Sequence, residues 1–277
     1  MKMSHFLTLI KTEYLKRKSA YWTPVWIVGV ITLLVLVVSL TAMIANWDVV
    51  QYGFINMSFD YEDIQDGVMF GTYGSMILAV FVFSIFLLIT SQSSLNREKE
   101  LGCELFYRCQ PVNIWTCTAA KYLMHVLAGG VLLLAVGLIL GVILAIVLSS
   151  TMGGFYLGSA LVGSLLGLIL YLKIALVFGS LYFLFSSIFK TNAFLKGTIF
   201  IGLIDFVFMI IEEISRNTVN MPSIFEGLVA LLGNLNVDAN LSLRYVLLDY
   251  RLLIALVFAG ACYAGGTLIY QYKTTEA

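Results

Sequence analysis

The chain has 277 residues, 60% of them hydrophobic and 12% charged, and its sixteen basic and sixteen acidic side chains leave no net charge. An ordinary water-soluble domain is about 25% charged; half that supply cannot cover a soluble particle, so a soluble globular domain is excluded. Apolar runs longer than the ~18 residues that a bilayer core requires recur along the chain, and they are continuous rather than alternating, which selects helices over a barrel.

Residues 1–23 read as an amphipathic helix, with Phe6, Leu7, Leu9, Ile10, Tyr14 and Leu15 at helical spacing and Lys11, Lys16, Arg17 and Lys18 supplying charge. Such a helix lies in the headgroup plane, and Tyr21, Trp22 and Trp26 mark the interface beyond it. The first span is expected at about 24–45, with Pro24 in its first turn, where a missing N–H costs nothing. The loop 46–70 contains Asp48, Asp60, Glu62, Asp63 and Asp66 and no lysine or arginine. A second span at about 71–92 leads into a polar segment, 93–121, that carries Arg97, Lys99, Arg108 and Lys121. The third span is expected at about 122–149 and the fourth at about 156–189, joined by a short glycine turn, and Lys173 falls inside the fourth. A basic link, 190–196, precedes a fifth span at about 197–214, which contains Asp205. In the mixed stretch 215–249 the apolar piece 224–235 is too short to cross and reads as a surface or re-entrant helix; the sixth span is expected at about 251–270. The expected fold is thus an all-α membrane protein, one transmembrane domain over 1–277 with about six spans.

Orientation follows from the basic residues. With the N-terminus in the cytoplasm, Lys2, Lys11, Lys16, Arg17 and Lys18, then Arg97, Lys99, Arg108 and Lys121, then Lys190, Lys196 and Lys273 all lie inside, against Arg216, Arg244 and Arg251 outside. Both termini are expected in the cytoplasm of a cell (inner or plasma) membrane. The first apolar run starts about twenty residues in and is too long for a signal core, so no cleaved signal is expected. Cys103, Cys109 and Cys117 fall in a cytoplasmic segment, where thiols stay reduced, and with Cys262 they show no C-x-x-C pair.

Catalytic motifs are absent from the sequence. It holds no Gly-Lys dipeptide and therefore no P-loop, its histidines are His5 and His125 alone, and no serine sits in G-x-S-x-G. No enzyme activity, cofactor, metal or nucleic-acid partner is expected of this chain. Lys173 and Asp205 are costly at membrane depth, at least about 2.5 kcal/mol each on insertion scales. They read as a structural pair or as groups satisfied separately, with a substrate or ion contact as the functional alternative. The pairs Gly137 with Gly141, Gly154 with Gly158 and Gly163 with Gly167 allow close helix approach, within one subunit or between two.

The segment after the second span is the informative one. Leu95, Leu101, Leu105 and Phe106 share one face of a short helix, Arg97, Glu98, Lys99, Glu100 and Glu104 occupy the rest, and Pro111 ends it before Lys121. It reads either as a solvated loop on the membrane or as a peg for a cytosolic partner. This order of Arg97 and Glu98, Gly102 with Glu104, Leu105 and Phe106, Pro111 and Lys121 resembles the cytoplasmic stretch of permeases in the type-2 ATP-binding-cassette exporter family. Glu104 follows Gly102 by two residues rather than three, and Cys103 stands where that family usually has threonine. The N-terminus around Tyr14, Lys16, Arg17 and Lys18 is similar to that family's elbow helix. The stretch 179–189 is similar to the small-residue end of its fourth span, and 215–249 to its re-entrant helices.

The resemblance implies a membrane subunit that forms a translocation pathway and docks a separate cytosolic ATPase, which would bind the ATP and Mg. It also implies a second permease subunit, identical or homologous, and contact with membrane lipids. Arg97, Glu98, Gly102, Glu104, Leu105, Phe106 and Pro111 would form the coupling helix on which the ATPase pushes. A secondary transporter or channel subunit, and a non-transporting membrane scaffold, are the alternative classes.

Overall fold

The computed structural model describes residues 3–45, 61–95, 113–152, 156–189, 191–215, 223–233 and 249–275. Among these residues the chain is helical, with no strand. In order the helices are α1 (Met3–Lys16), α2 (Lys18–Ala45), α3 (Tyr61–Gln92), α4 (Ile114–Met152), α5 (Leu157–Ile174), α6 (Ser180–Ile188), α7 (Ala193–Ile214), α8 (Ile224–Ala230) and α9 (Tyr250–Thr275). A π-turn, Ala175–Gly179, joins α5 to α6 without a break. Among the described residues five stretches are long and apolar enough to cross a membrane: Gln65–Gln92, Ile114–Ile146, Leu157–Ile188, Ala193–Ile214 and Tyr250–Tyr272. The protein is an all-α membrane protein.

Several elements extend past the limits that hydropathy sets. Helix α3 starts at Tyr61, inside the acidic loop expected from the sequence, because acidic residues suit a helix N-terminus. Helix α4 starts at Ile114, so Lys121 lies in its third turn and is buried rather than standing ahead of the span. Helix α2 starts at Lys18, which puts Pro24 inside the helix and not in its first turn. The missing N–H there costs the bond to the Ala20 carbonyl.

Two compact units divide the chain. One comprises 1–18, 84–130 and 169–277, the other 19–83 and 131–168. In the second, α2 buries Tyr21, Pro24 and Val28, three and four residues apart, and leaves Trp26, Val30 and Leu33 exposed. The parts of α3, α4 and α5 in this unit approach through glycines. A Cβ at Gly163 would stand 2.6 Å from the Met69 carbonyl and 2.9 Å from the Thr72 Cβ, and one at Gly167 would stand 2.6 Å from the Met76 Cβ. Ser164 donates to the carbonyls of Gly137 (3.0 Å) and Ala160 (2.9 Å), and Val68, Ala145, Tyr156 and Ala160 pack together beside them. Gly137, Gly141, Gly163 and Gly167 therefore serve packing within the chain, whereas Gly158 has open space around it.

In the first unit α6 packs on α9 and α7, and aromatic rings fill the seams. Tyr122, Phe183 and Tyr263 lie within 5.4–6.3 Å of one another. Tyr182 stacks on Phe194 at 4.9 Å. The π-turn displaces backbone acceptors from their α-helical partners; the Tyr122 hydroxyl takes up the Ala175 carbonyl at 3.2 Å, and Ser180 donates to Val177 at 3.1 Å. Helix α8 seats Leu228 and the following Leu232 against Val177 and Ala255.

Candidate functional site

Lys173 is 5% exposed. It lies sixteen residues from Leu157 and fifteen from Ile188, the ends of its candidate span, or roughly 24 and 22 Å at ~1.5 Å per residue. Its ammonium donates to the Leu232 carbonyl at 3.1 Å, just past the C-terminal end of α8, and stands 3.6 Å from Asp249 Oδ2. Just past Leu232 the backbone turns at Gly233, whose φ is +83°. A side chain there would be strained, and its Cβ would lie 2.7 Å from Asp249 Oδ2 and 3.2 Å from the Lys173 ammonium. Asp249 also begins α9, where its Oδ1 accepts from the Arg251 backbone N–H at 3.0 Å.

Asp205 projects from the middle of α7 onto the other end of α8. Its carboxylate accepts from the backbone N–H groups of Ile224 (2.7 Å) and Phe225 (3.2 Å) and from the Ser223 hydroxyl (3.0 Å). Ser223 is the N-cap and accepts from the Glu226 N–H at 3.3 Å. The two intramembrane charges therefore do not satisfy each other, as one expectation had it. Each holds one end of the same seven-residue helix, the anion where N–H groups are orphaned and the cation where carbonyls are. Asp249, Ser223 and the Leu232 carbonyl are the members that the sequence reading did not single out. The Ser223-x-x-Glu226 spacing is the one readable signal among them; Asp249 carries none, because it stands just outside an apolar run.

A second polar cluster surrounds Arg17, the residue between α1 and α2, which is 7% exposed. Helix α1 is amphipathic, with Phe6, Leu9, Ile10, Glu13 and Tyr14 half-buried and Leu7, Lys11 and Leu15 exposed. The half-buried stripe runs through the Tyr14 position to Arg17. Arg17 Nη1 donates to the Thr90 carbonyl (3.0 Å) and Ser93 Oγ (2.7 Å), and Nη2 to the Ser93 carbonyl (2.9 Å). The same end of α3 reaches two other helices. Gln92 Oε1 accepts from the Phe194 N–H of α7 at 2.7 Å, and Ser94 Oγ meets Ser186 Oγ of α6 at 3.5 Å. Lys16 is exposed and pairs with Glu13 at 2.7 Å, and Lys18 is exposed. Lys121 is buried, with its ammonium 6.0 Å from the centre of the Tyr270 ring.

Arg97, Glu98, Gly102, Glu104, Leu105, Phe106 and Pro111 lie outside the described residues. Among the described residues no group of three or more His, Cys, Asp or Glu side chains stands together as metal ligands do. Comparison of the chain with protein-family models, with curated proteins and with solved structures finds no match.

Proposed function

We propose that this chain is the membrane-spanning subunit of an ATP-driven exporter of the type-2 ATP-binding-cassette class. It works as a pair of permease subunits with a separate cytosolic ATPase that supplies the nucleotide site, the ATP and the Mg. Helix α2 is the first of six spans, both termini are cytoplasmic, and the segment from Leu95 to Phe106, ended by Pro111, docks the ATPase in a cell membrane. One observation supports this reading above the others: Arg17 fastens the amphipathic N-terminal helix to Thr90 and Ser93. That is the point from which the chain enters its charged segment. A push delivered there acts at once on α1, and through Gln92 and Ser94 on α7 and α6.

The test is co-purification from mild detergent. A nucleotide-binding protein associates with the wild type, and Glu104→Lys weakens that association without changing abundance. The loss of one partner of a desolvated charge pair costs about 2–5 kcal/mol. If no such protein associates, the exporter reading is wrong; if one associates and Glu104→Lys changes nothing, docking falls to the helix around Tyr14 to Lys18.

A secondary transporter is the second reading, and the charged, partly non-helical site at the middle of the fourth span favours it. Transporters of that kind place ionisable groups and helix ends at the membrane midplane. Gradient-driven transport by the chain alone in proteoliposomes, with no ATPase present, separates the two.

A further inference from the structure

By sequence α1 has one apolar face and one charged face, but the fold divides it three ways. The apolar stripe of Phe6, Leu9, Ile10 and Tyr14 is half-buried against the chain itself and leads to Arg17. Leu7, Lys11 and Leu15, continued by Lys18 at the start of α2, recur three and four residues apart as an exposed strip. Its leucines are 58% and 59% exposed. Thr12 and Lys16 are exposed on the remaining side, where Lys16 pairs with Glu13. Among the described residues Lys11 and Lys18 make no ion pair. The start of α7 stands at the same end of the first unit, because Phe194 bonds to Gln92 as Arg17 bonds to Ser93. It adds an exposed Lys196. Among the described residues of α1, the end of α3 and the start of α7, Glu13 is the only acid. Trp22 and Trp26, both exposed, are residues that settle at headgroup level, and Lys16 is six residues from Trp22 along the chain.

We propose that the strip of Leu7, Lys11, Leu15 and Lys18 seats anionic phospholipid. Acyl chains cover the two leucines, and the Lys11 and Lys18 ammonium groups hold the phosphate-bearing headgroups. Two leucines offer less apolar surface than the single acyl chain that gives only marginal membrane binding, and charge is the second signal that makes such a contact firm. Leucine and lysine alternating along one strip suit a lipid surface better than an acidic protein, because a lysine stem reaches up to the headgroups while the leucines stay in the apolar layer. The seat belongs to the membrane-embedded chain and does not depend on the transport reading.

The experiment uses the full chain in phosphatidylcholine nanodiscs, with the native cysteines replaced by alanine and a bimane fluorophore on Thr12→Cys, beside Lys11. Trace phosphatidylglycerol or trace phosphatidylcholine, each with a nitroxide high on its acyl chain, quenches the fluorophore. The wild-type strip takes phosphatidylglycerol at least about fivefold more tightly, the equivalent of the ~1 kcal/mol that one lysine contributes beside an anionic surface. Lys11→Gln with Lys18→Gln abolishes the preference while both lipids still quench, since the leucines remain in lipid. Lys196→Gln leaves the preference unchanged. Equal quenching by the two lipids around the wild type overturns the seat. So does quenching by neither, which would put the strip in water or against a protein. A preference that survives the double substitution, or that Lys196→Gln removes, overturns it as well.

Discussion

Removing the Lys173 charge tests the partner assignment at the middle of the span. In Lys173→Met the Leu232 carbonyl loses its 3.1 Å donor and the Asp249 carboxylate loses a cation at 3.6 Å. Breaking one side of a buried pair costs about 3–5 kcal/mol. Asp249 keeps its Arg251 N–H and a side chain one-fifth exposed, which sets the expected loss at the lower end, about 3 kcal/mol. Adding Asp249→Asn to that variant removes the stranded charge while asparagine still caps α9, so stability recovers by about 1–3 kcal/mol. Adding Asp205→Asn instead recovers nothing, because Asp205 serves the opposite end of α8. Thermal unfolding and the yield of monodisperse protein in mild detergent read both doubles. Recovery with Asp205→Asn and not with Asp249→Asn would refute the assignment.

Gly163→Ala drives a methyl against the Met69 backbone carbonyl and lowers stability by about 1–3 kcal/mol. Gly158→Ala, in open space, is neutral or gains up to about 1 kcal/mol from helix propensity; the two melting temperatures, taken together, check the packing of the second unit. Arg17→Ala loses three charged hydrogen bonds and about 2–4 kcal/mol, with faster tryptic cleavage at Lys11 and Lys16. Arg17→Lys restores only part, because a single ammonium does not span Thr90 and Ser93 as a planar fork does. For topology, a cysteine replacing Asp63 reacts with an impermeant reagent outside intact cells and one replacing Lys99 does not; the opposite pattern would reverse the orientation drawn from the basic residues.

Five of the expected spans are legible because each is a long apolar run, and the amphipathic start because its stripe repeats every three or four residues. The limits of both differ from the sequence expectation for one reason. Hydropathy stops at a charge, whereas a helix does not. Glu62, Asp63 and Asp66 lie in or near the first turns of α3, and Lys121 is buried within α4. By sequence Arg17 belongs with the charged face of the N-terminal helix, yet it ends the half-buried stripe. The Lys173 and Asp205 environments were less legible still. Pairing the charges found inside apolar runs leaves out backbone partners, and four of the groups around these two side chains are backbone: the N–H groups of Ile224 and Phe225, the Leu232 carbonyl and the turn at Gly233.

The two units differ in what holds them, and the difference bears on function. In the unit built around Gly163 and Gly167, helices meet by close approach, backbone against side chain with no room for a methyl. Such contacts have no substitute in lipid or water; separating the helices loses them outright. The contacts around α8 and at Arg17 are hydrogen bonds to carboxylate, ammonium and guanidinium groups. Water exchanges for these at modest net cost, since the net worth of a hydrogen bond is only about 0.5–1.5 kcal/mol when both groups find new partners. An element that must let go and rebind within a cycle is better held by such bonds than by interlocked glycine faces. By that reasoning α1 and α8 are the elements of the first unit whose contacts suit release and rebinding.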